Sequence, residues 1–271
     1  MTISRKELKV FTASPDALWN VSTLVCGELD AILIDAQFTL SDARKLVAMI
    51  RESGKNLRMV YITHHHPDHY FGLQEIVKAF PEVQIMASPF TVESIKKTWK
   101  GKVEQWAPIH GDNIPLTPII PTPMKGMVLE LEGEMFPVYM NAQGDDHGNS
   151  YIWIPSLKTV VCGDIVYNGV YPWTADTTPE ERRDWIRSLE RIESFRPVMA
   201  IAGHKDPSRT DDLSCLKFMK EYLNYYDAAV ITSKNAEELR SAVKKRFIGL
   251  GLEIILNIST GAAFPSKWSG Q

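Results

Sequence analysis

The stretch Thr63-His64-His65-His66-Pro67-Asp68-His69 constrains this chain more than any other. Four histidines and an aspartate stand directly behind an apolar run, Met59-Val60-Tyr61-Ile62. Histidine and carboxylate are ligands for a borderline divalent ion such as zinc. Packing gives no reason to gather so many imidazoles, because a buried polar group without a partner costs roughly 2–7 kcal/mol. An apolar strand that stops at such a cluster predicts a metal site at the end of a sheet. Residues two apart in extended backbone share a face. His64 and His66 can therefore grip one ion, while His65 points away and is expected to support or pack rather than to ligate.

Around this cluster, strands alternate with helices. Leu24-Val25-Cys26 and Ala31-Ile32-Leu33-Ile34-Asp35 read as strands joined by a hairpin-like turn at Gly27-Glu28-Leu29-Asp30. Ala43, Leu46, Val47 and Ile50 repeat at helical spacing behind a capping Ser41. Ser88-Pro89 opens a helix expected to end near Trp99. Five prolines between residues 106 and 125 predict connecting loop and edge strand there. Thr178-Pro179-Glu180-Glu181 is a capping box with proline at the first helical position. Thr210 and Asn235 are expected to cap two later helices, which makes residues 210–271 a helical extension packed on a single sandwich domain. The alternation predicts an α+β fold of sheet layers covered by helices.

The remaining candidate ligands recur at strand ends. His147 follows the strand Phe136–Met140, Asp164 follows Thr159–Val161, and His204 follows Val198–Ala202. Open sheets present ligands outside the carboxyl ends of their strands. His110 reads as a surface loop residue, Asp145 and Asp146 as a solvated turn or as support for an imidazole, and Cys162 and Cys215 as packing residues.

The ordered set His64-x-His66-x-Asp68-His69, then His147, Asp164 and His204, resembles the metallo-β-lactamase-fold hydrolase superfamily over about residues 20 to 210. That resemblance implies a four-layer αββα sandwich with two divalent ions, zinc first among them and iron or manganese as options. It implies that His64, His66 and His147 hold the first ion, that Asp68, His69 and His204 hold the second, and that Asp164 bridges them. Paired ions lower the pKa of a shared water toward ~7, which yields a hydroxide nucleophile. Asp68 or Asp164 is then expected to shuttle the proton. Tyr167 stands three residues after Asp164, an offset at which lactonases of this family carry a tyrosine that helps stabilise the substrate carbonyl.

Asp164 places the chain on the glyoxalase II, lactonase and esterase side of the family, with an ester, lactone or thioester of a small, fairly apolar molecule as substrate. The alternatives are a β-lactamase-like amide hydrolase and an iron-dependent redox enzyme on the same fold. Flavo-diiron oxygen reductases are disfavoured, since His66 stands where they carry glutamate. Trp106, Tyr171 and Trp173 could wall an apolar pocket, and Tyr70-Phe71 after the last motif histidine should narrow it. A formal charge of −3 gives no basic footprint for nucleic acid. The sequence has neither an apolar run long enough to span a bilayer nor the apolar core of a signal peptide. Three scattered cysteines read as reduced thiols of a cytoplasmic protein. A homodimer through the helical tail is an open arrangement.

Overall fold

Alternate residues of the strands before the histidine cluster face two different cores, and this period-two pattern sets the layering. A computed structural model describes residues 6–264. The first half runs β1 (Glu7–Thr12), β2 (Val21–Cys26), β3 (Asp30–Ile34), α1 (Leu40–Glu52), β4 (Asn56–Ile62), one-turn α2 (Pro67–Tyr70), α3 (Leu73–Ala79), β5 (Gln84–Ala87), α4 (Pro89–His110) and β6 (Thr122–Pro123). Its strands form one mixed sheet in the order β1-β2-β3-β4-β5-β6. The second half continues with β7 (Val128–Leu131), β8 (Glu134–Gln143), β9 (His147–Ile154), β10 (Thr159–Val161), β11 (Tyr167–Asn168), α5 (Pro179–Ser194), β12 (Met199–Ile201) and β13 (His204–Lys205). Here β12-β10-β9-β8-β7 form the second sheet, and β11 pairs with β13.

Leu24, Leu33, Val60 and Ile62 point outward from the first sheet onto Leu46, Ile50, Ile76, Val92 and Ile95 of its helices. Their neighbours Val25, Ile32, Ile34 and Tyr61 point inward, against Phe136, Val138, Ile152, Val161 and Ile201 of the second sheet. On the far face of that sheet, Val160, Cys162 and Ala200 pack against Trp185, Leu189 and Met219. The result is the expected α+β sandwich, with helices outside both sheets. α6 (Ser214–Thr232), α7 (Ala236–Arg246) and α8 (Glu253–Ala263) complete the described chain. Tyr222, Tyr226, Leu239, Val243, Ile255 and Leu256 from these three helices share a cluster with Tyr171. No helix among the described residues is long and apolar enough to cross a membrane.

Several local expectations need correction. Thr39 caps α1 instead of Ser41, its hydroxyl accepting the Asp42 N–H at 3.2 Å. α4 continues to His110 with Pro108 inside it. That proline forfeits only one bond close to the helix end, and packing of Trp106 and Ala107 on the first core holds the last turns. His110 is thereby no surface loop residue; its ring lies 4.8 Å from that of Phe38. α6 begins at Ser214, whose N–H is capped by Asp212 Oδ1 at 2.7 Å.

One carboxylate ties the hairpin turns of the two sheets together. Glu132, in the β7–β8 turn, accepts backbone N–H bonds from Glu28 (2.7 Å), Leu29 (2.7 Å) and Asp30 (2.9 Å) in the β2–β3 turn. A side chain at Gly27 would collide with this carboxylate. Burial works against the charge, but the three N–H donors prevail and hold Glu132 down at about 2. Because the folded pKa lies below the unfolded one, this stabilisation is present at neutral pH and is lost as pH falls through about 2. Glu132→Ala should lower stability at pH 7 by about 1–2 kcal/mol. The difference from wild type in urea midpoint should shrink as the pH is lowered below the ordinary carboxylate range, and a constant gap would contradict the assignment.

Candidate metal centre

Each candidate side chain is placed by the end of a strand. β4 ends into His64 and His66, and Pro67 then starts α2, which carries Asp68 and His69. Asp145 sits in the β8–β9 turn, Asp164 in a single 3-10 turn (Gly163–Ile165) after β10, Tyr167 on β11 and His204 on β13. β13 pairs in parallel with β11, which puts Tyr167 opposite His204. Their rings stack at 5.2 Å.

These residues form two buried groups that share Asp164. His64, His66, Asp145 and Asp164 make the first, and Asp68, His69, Asp164 and His204 the second, with ligand-type atoms within 4.8 Å of one another in each. In the second group, His204 Nε2 lies 3.1 Å from both Asp68 Oδ2 and Asp164 Oδ2, and His69 Nε2 lies 3.2 Å from Asp164 Oδ1. In the first, His64 Nε2 is 3.7 Å from Asp164 Oδ2 and 3.9 Å from Asp145 Oδ1, and His66 Nδ1 is 3.0 Å from Asp145 Oδ2. The structure thus brings together His64, His66, Asp68, His69, Asp164 and His204.

It does not bring in His147. That residue is the exposed first residue of β9, its ring 5.1 Å from Phe90 and facing away from both groups. Asp145, two residues earlier, points inward instead. Asn149 fixes the turn this way, its Nδ2 donating to Asp145 Oδ1 (3.1 Å) and to the Asp146 carbonyl (3.0 Å). His65 turns away from the first group, with Nε2 3.2 Å from Asp146 Oδ2. Tyr70 and Phe71 do not narrow the cleft; both are fully buried in the first core.

Further residues orient the imidazoles, and sequence reading missed them. Asp35 follows β3 with a left-handed φ of 62° and is almost fully buried. The His69 Nδ1–H donates to Asp35 Oδ2 at 2.9 Å, and the Thr63 N–H donates to Asp35 Oδ1 at 2.8 Å. The His204 Nδ1–H donates to the Leu18 carbonyl at 2.6 Å. Thr63 Oγ1 lies 3.1 Å from His64 Nδ1. In these three rings Nδ1 is engaged outside, which leaves Nε2 directed at the centre, as metal-ligating histidines require, whereas His66 turns Nδ1 to Asp145. A carboxylate that follows a strand by one residue was the only sequence signal for Asp35.

The electrostatics describe a site built for cations. Burial opposes protonation of His204, yet Asp164 and Asp68 outweigh it and raise it to about 10. Burial likewise opposes protonation of His66, but Asp145 raises it to about 9. His64 goes the other way, lowered by burial and by His69. Burial works against the Asp164 charge, but His204 and His69 hold it well below the carboxylate range. At the centre, His64 Nε2 and Asp164 Oδ1 are buried without a hydrogen-bond partner. His64 Nε2 with no partner, and Asp164 Oδ1 with only the His69 imidazole beside it at 3.2 Å, are free to face divalent ions of the zinc class. Gly203 is required beside them, since any side chain there would collide with the Asp164 carboxylate.

Asp35→Ala should weaken metal binding by about 10–100-fold, because His69 loses the acceptor that sets its orientation. Equilibrium dialysis against Zn2+ checks this; unchanged affinity would contradict the role given to Asp35.

Comparison with known proteins agrees with this architecture. A family model described as the metallo-beta-lactamase superfamily matches residues 20–204. A hydroxyacylglutathione hydrolase of Vibrio parahaemolyticus is 26% identical over 155 residues, which is 57% of this chain and 50% of that protein. One from Vibrio cholerae is 41% identical over 44 residues, 16% of this chain and 18% of that protein. The chain therefore spans about half the length of the first of these relatives, and less of the second. Among solved structures, a metallo-beta-lactamase family protein from Thermus thermophilus superposes with a TM-score of 0.67 at 19% identity, covering 94% of this chain and 91% of that one. A metallo-beta-lactamase from Pontibacter korlensis superposes with a TM-score of 0.59 at 18% identity, over 80% and 99% of the two chains. With the fold, the order of the candidate ligands and the family match in agreement, the chain belongs to the metallo-beta-lactamase superfamily.

Proposed function

We propose that this protein is a metal-dependent hydrolase with a dinuclear centre, opening an ester, lactone or thioester of a small, fairly apolar molecule. The observation that carries this reading is the pair of buried His/Asp groups joined through one carboxylate, Asp164, at the floor of a cleft. When bound, two divalent ions polarise the substrate oxygen and lower the pKa of a water toward ~7. In this reading His64, His66 and Asp164 face one ion, and Asp68, Asp164, His69 and His204 the other.

The cleft is narrow, with about 40 Å3 of free space, and has metal-site residues at its base and Leu18, Pro67, Trp106, Trp173 and Ile255 as apolar walls. Such walls recognise an apolar acyl or ring portion and exclude water around it. Tyr171, expected beside them, belongs to the C-terminal cluster instead. The Tyr167 hydroxyl lies 3.0 Å from Asp164 Oδ2 and 3.2 Å from Asp145 Oδ2, with one proton to share between them, and it borders the same cleft. Burial, with Asp145 and Asp164 beside it, pushes this phenol well above its ordinary pKa. Tyr167 thus stays protonated and can turn its O–H to a developing oxyanion. Asp68, with Oδ2 against His204 Nε2, is placed to hold the proton that passes from the nucleophilic water to the leaving group. The Vibrio relatives are named hydroxyacylglutathione hydrolases, and acylglutathiones are thioesters; this supports a thioester among the substrates.

Aryl esters, lactones, acyl thioesters and nitrocefin, offered to the metal-loaded protein, test the reading directly. Turnover of an ester, lactone or thioester is expected; a fully loaded protein that turns over none of them, or only nitrocefin, contradicts it. Tyr167→Phe should lower kcat by about 10²-fold when measured at saturating metal. His66→Ala should abolish activity and empty the first position, whereas His65→Ala should cost no more than about tenfold. Equal losses in the two histidine variants would overturn the assignment of faces.

A further inference from the structure

Resting on the two-metal reading, we propose that Asp145 joins His64, His66 and the bridging Asp164 as a ligand of the first metal, where the family resemblance places His147, and that it makes this position more tolerant of a hard ion such as Mn2+.

The geometry carries the assignment. Ligand atoms at about 2.1 Å from a tetrahedral ion stand about 3.4 Å apart. The separations here bracket that value: 3.0 Å from His66 Nδ1 to Asp145 Oδ2, 3.9 Å from His64 Nε2 to Asp145 Oδ1, and 3.7 Å from His64 Nε2 to Asp164 Oδ2. Asp145 is only 1% exposed, and its two oxygens are oriented separately, Oδ1 by Asn149 Nδ2 and Oδ2 by the Tyr167 hydroxyl. The turn that carries it is bound to the bridging carboxylate's own turn, the Asp145 N–H donating to the Asp164 carbonyl at 3.3 Å. Gly144 permits that approach, since a Cβ there would lie 3.0 Å from the same carbonyl oxygen. The independent mark of a ligand is His64 Nε2, fully buried, without a hydrogen-bond partner and facing the gap between Asp145 and Asp164. His147 offers none of this. It is exposed, and its ring packs on Phe90.

Exchange of an imidazole for a carboxylate alters the chemistry of the position. The first ion gains a hard anionic oxygen in place of a neutral nitrogen. Oxygen donors suit manganese better than imidazole does, while zinc accepts both. Zinc remains the tighter ion in either case, by the general order of divalent affinities. The quantity that moves is the ratio of the two affinities.

The experiment uses the full chain, stripped of metal and dialysed against Zn2+ alone, Mn2+ alone and a mixture, with bound metal counted per chain by mass spectrometry. Wild type and His147→Ala should each hold two ions. Asp145→Ala should hold one, and circular dichroism checks its fold. Should that variant unfold, Asp145→Asn, which keeps the side chain's shape, and Asp145→His, which keeps a ligand, carry the test; the asparagine should lose tight binding of one ion. Asp145→His should hold two and raise the zinc-to-manganese ratio in the mixture about tenfold. Two ions in Asp145→Ala with one in His147→Ala would overturn the assignment and leave the two-metal reading standing. Fewer than two ions in wild type would overturn both. An unchanged ratio in Asp145→His would overturn the claim about metal tolerance.

Discussion

The Asp164 carboxylate organises the centre of this molecule. It is almost fully buried, with His204 Nε2 at 3.1 Å, His69 Nε2 at 3.2 Å and His64 Nε2 at 3.7 Å. A buried carboxylate is costly unless charge or hydrogen bonds compensate it, and the His204 and His69 imidazoles with the Tyr167 hydroxyl do so here. Because the three histidines come from the β4 loop, α2 and β13, satisfying this one side chain fixes how both halves of the sandwich meet. Gly163 with φ of 52° and Gly203 beneath the carboxylate clear the space for it.

The sandwich makes this convergence inexpensive. β3, β4, β10 and β12 direct their carboxyl ends to one edge, so the loops that follow reach the same place without long excursions. The cores beneath are mainly apolar packing, with a few buried hydroxyls such as that of Tyr61, which donates to Ser150 Oγ at 3.1 Å. A second ring of groups, Asp35, Thr63, Asn149 and the Leu18 carbonyl, sets ring orientation and turn geometry. Preorganisation of this kind lets the site bind cations without rearranging.

Much of this was legible in the chain. The histidine cluster behind Met59–Ile62, with Asp164 and His204 after later strands, marked the site because ligand chemistry and strand ends coincide there. Strands alternating with capped helices predicted sheet layers covered by helices, and the resemblance to the family supplied the αββα order of those layers. The errors share a cause, which is that local pattern does not decide tertiary direction. His147 and Asp145 lie two residues apart across a turn where the β8–β9 register shifts, and tertiary contacts, the Asn149 bonds among them, decide which one points inward. Pro108 looked like a helix stop, yet tertiary packing carries α4 past it. Tyr70 and Phe71 sit beside the ligands in sequence but turn back into the first core. Asp35 had no companion in sequence, and its role became visible only when His69 arrived from 34 residues away.

The account rests on two cations flanking Asp164, and anomalous diffraction from crystals of the metal-loaded protein tests that most directly. It predicts two peaks about 3.5–4 Å apart. One should lie among His64, His66 and Asp145, and the other among Asp68, His69 and His204, with Asp164 between them. A single peak, or a peak at His147 with Asp145 unengaged, would contradict it.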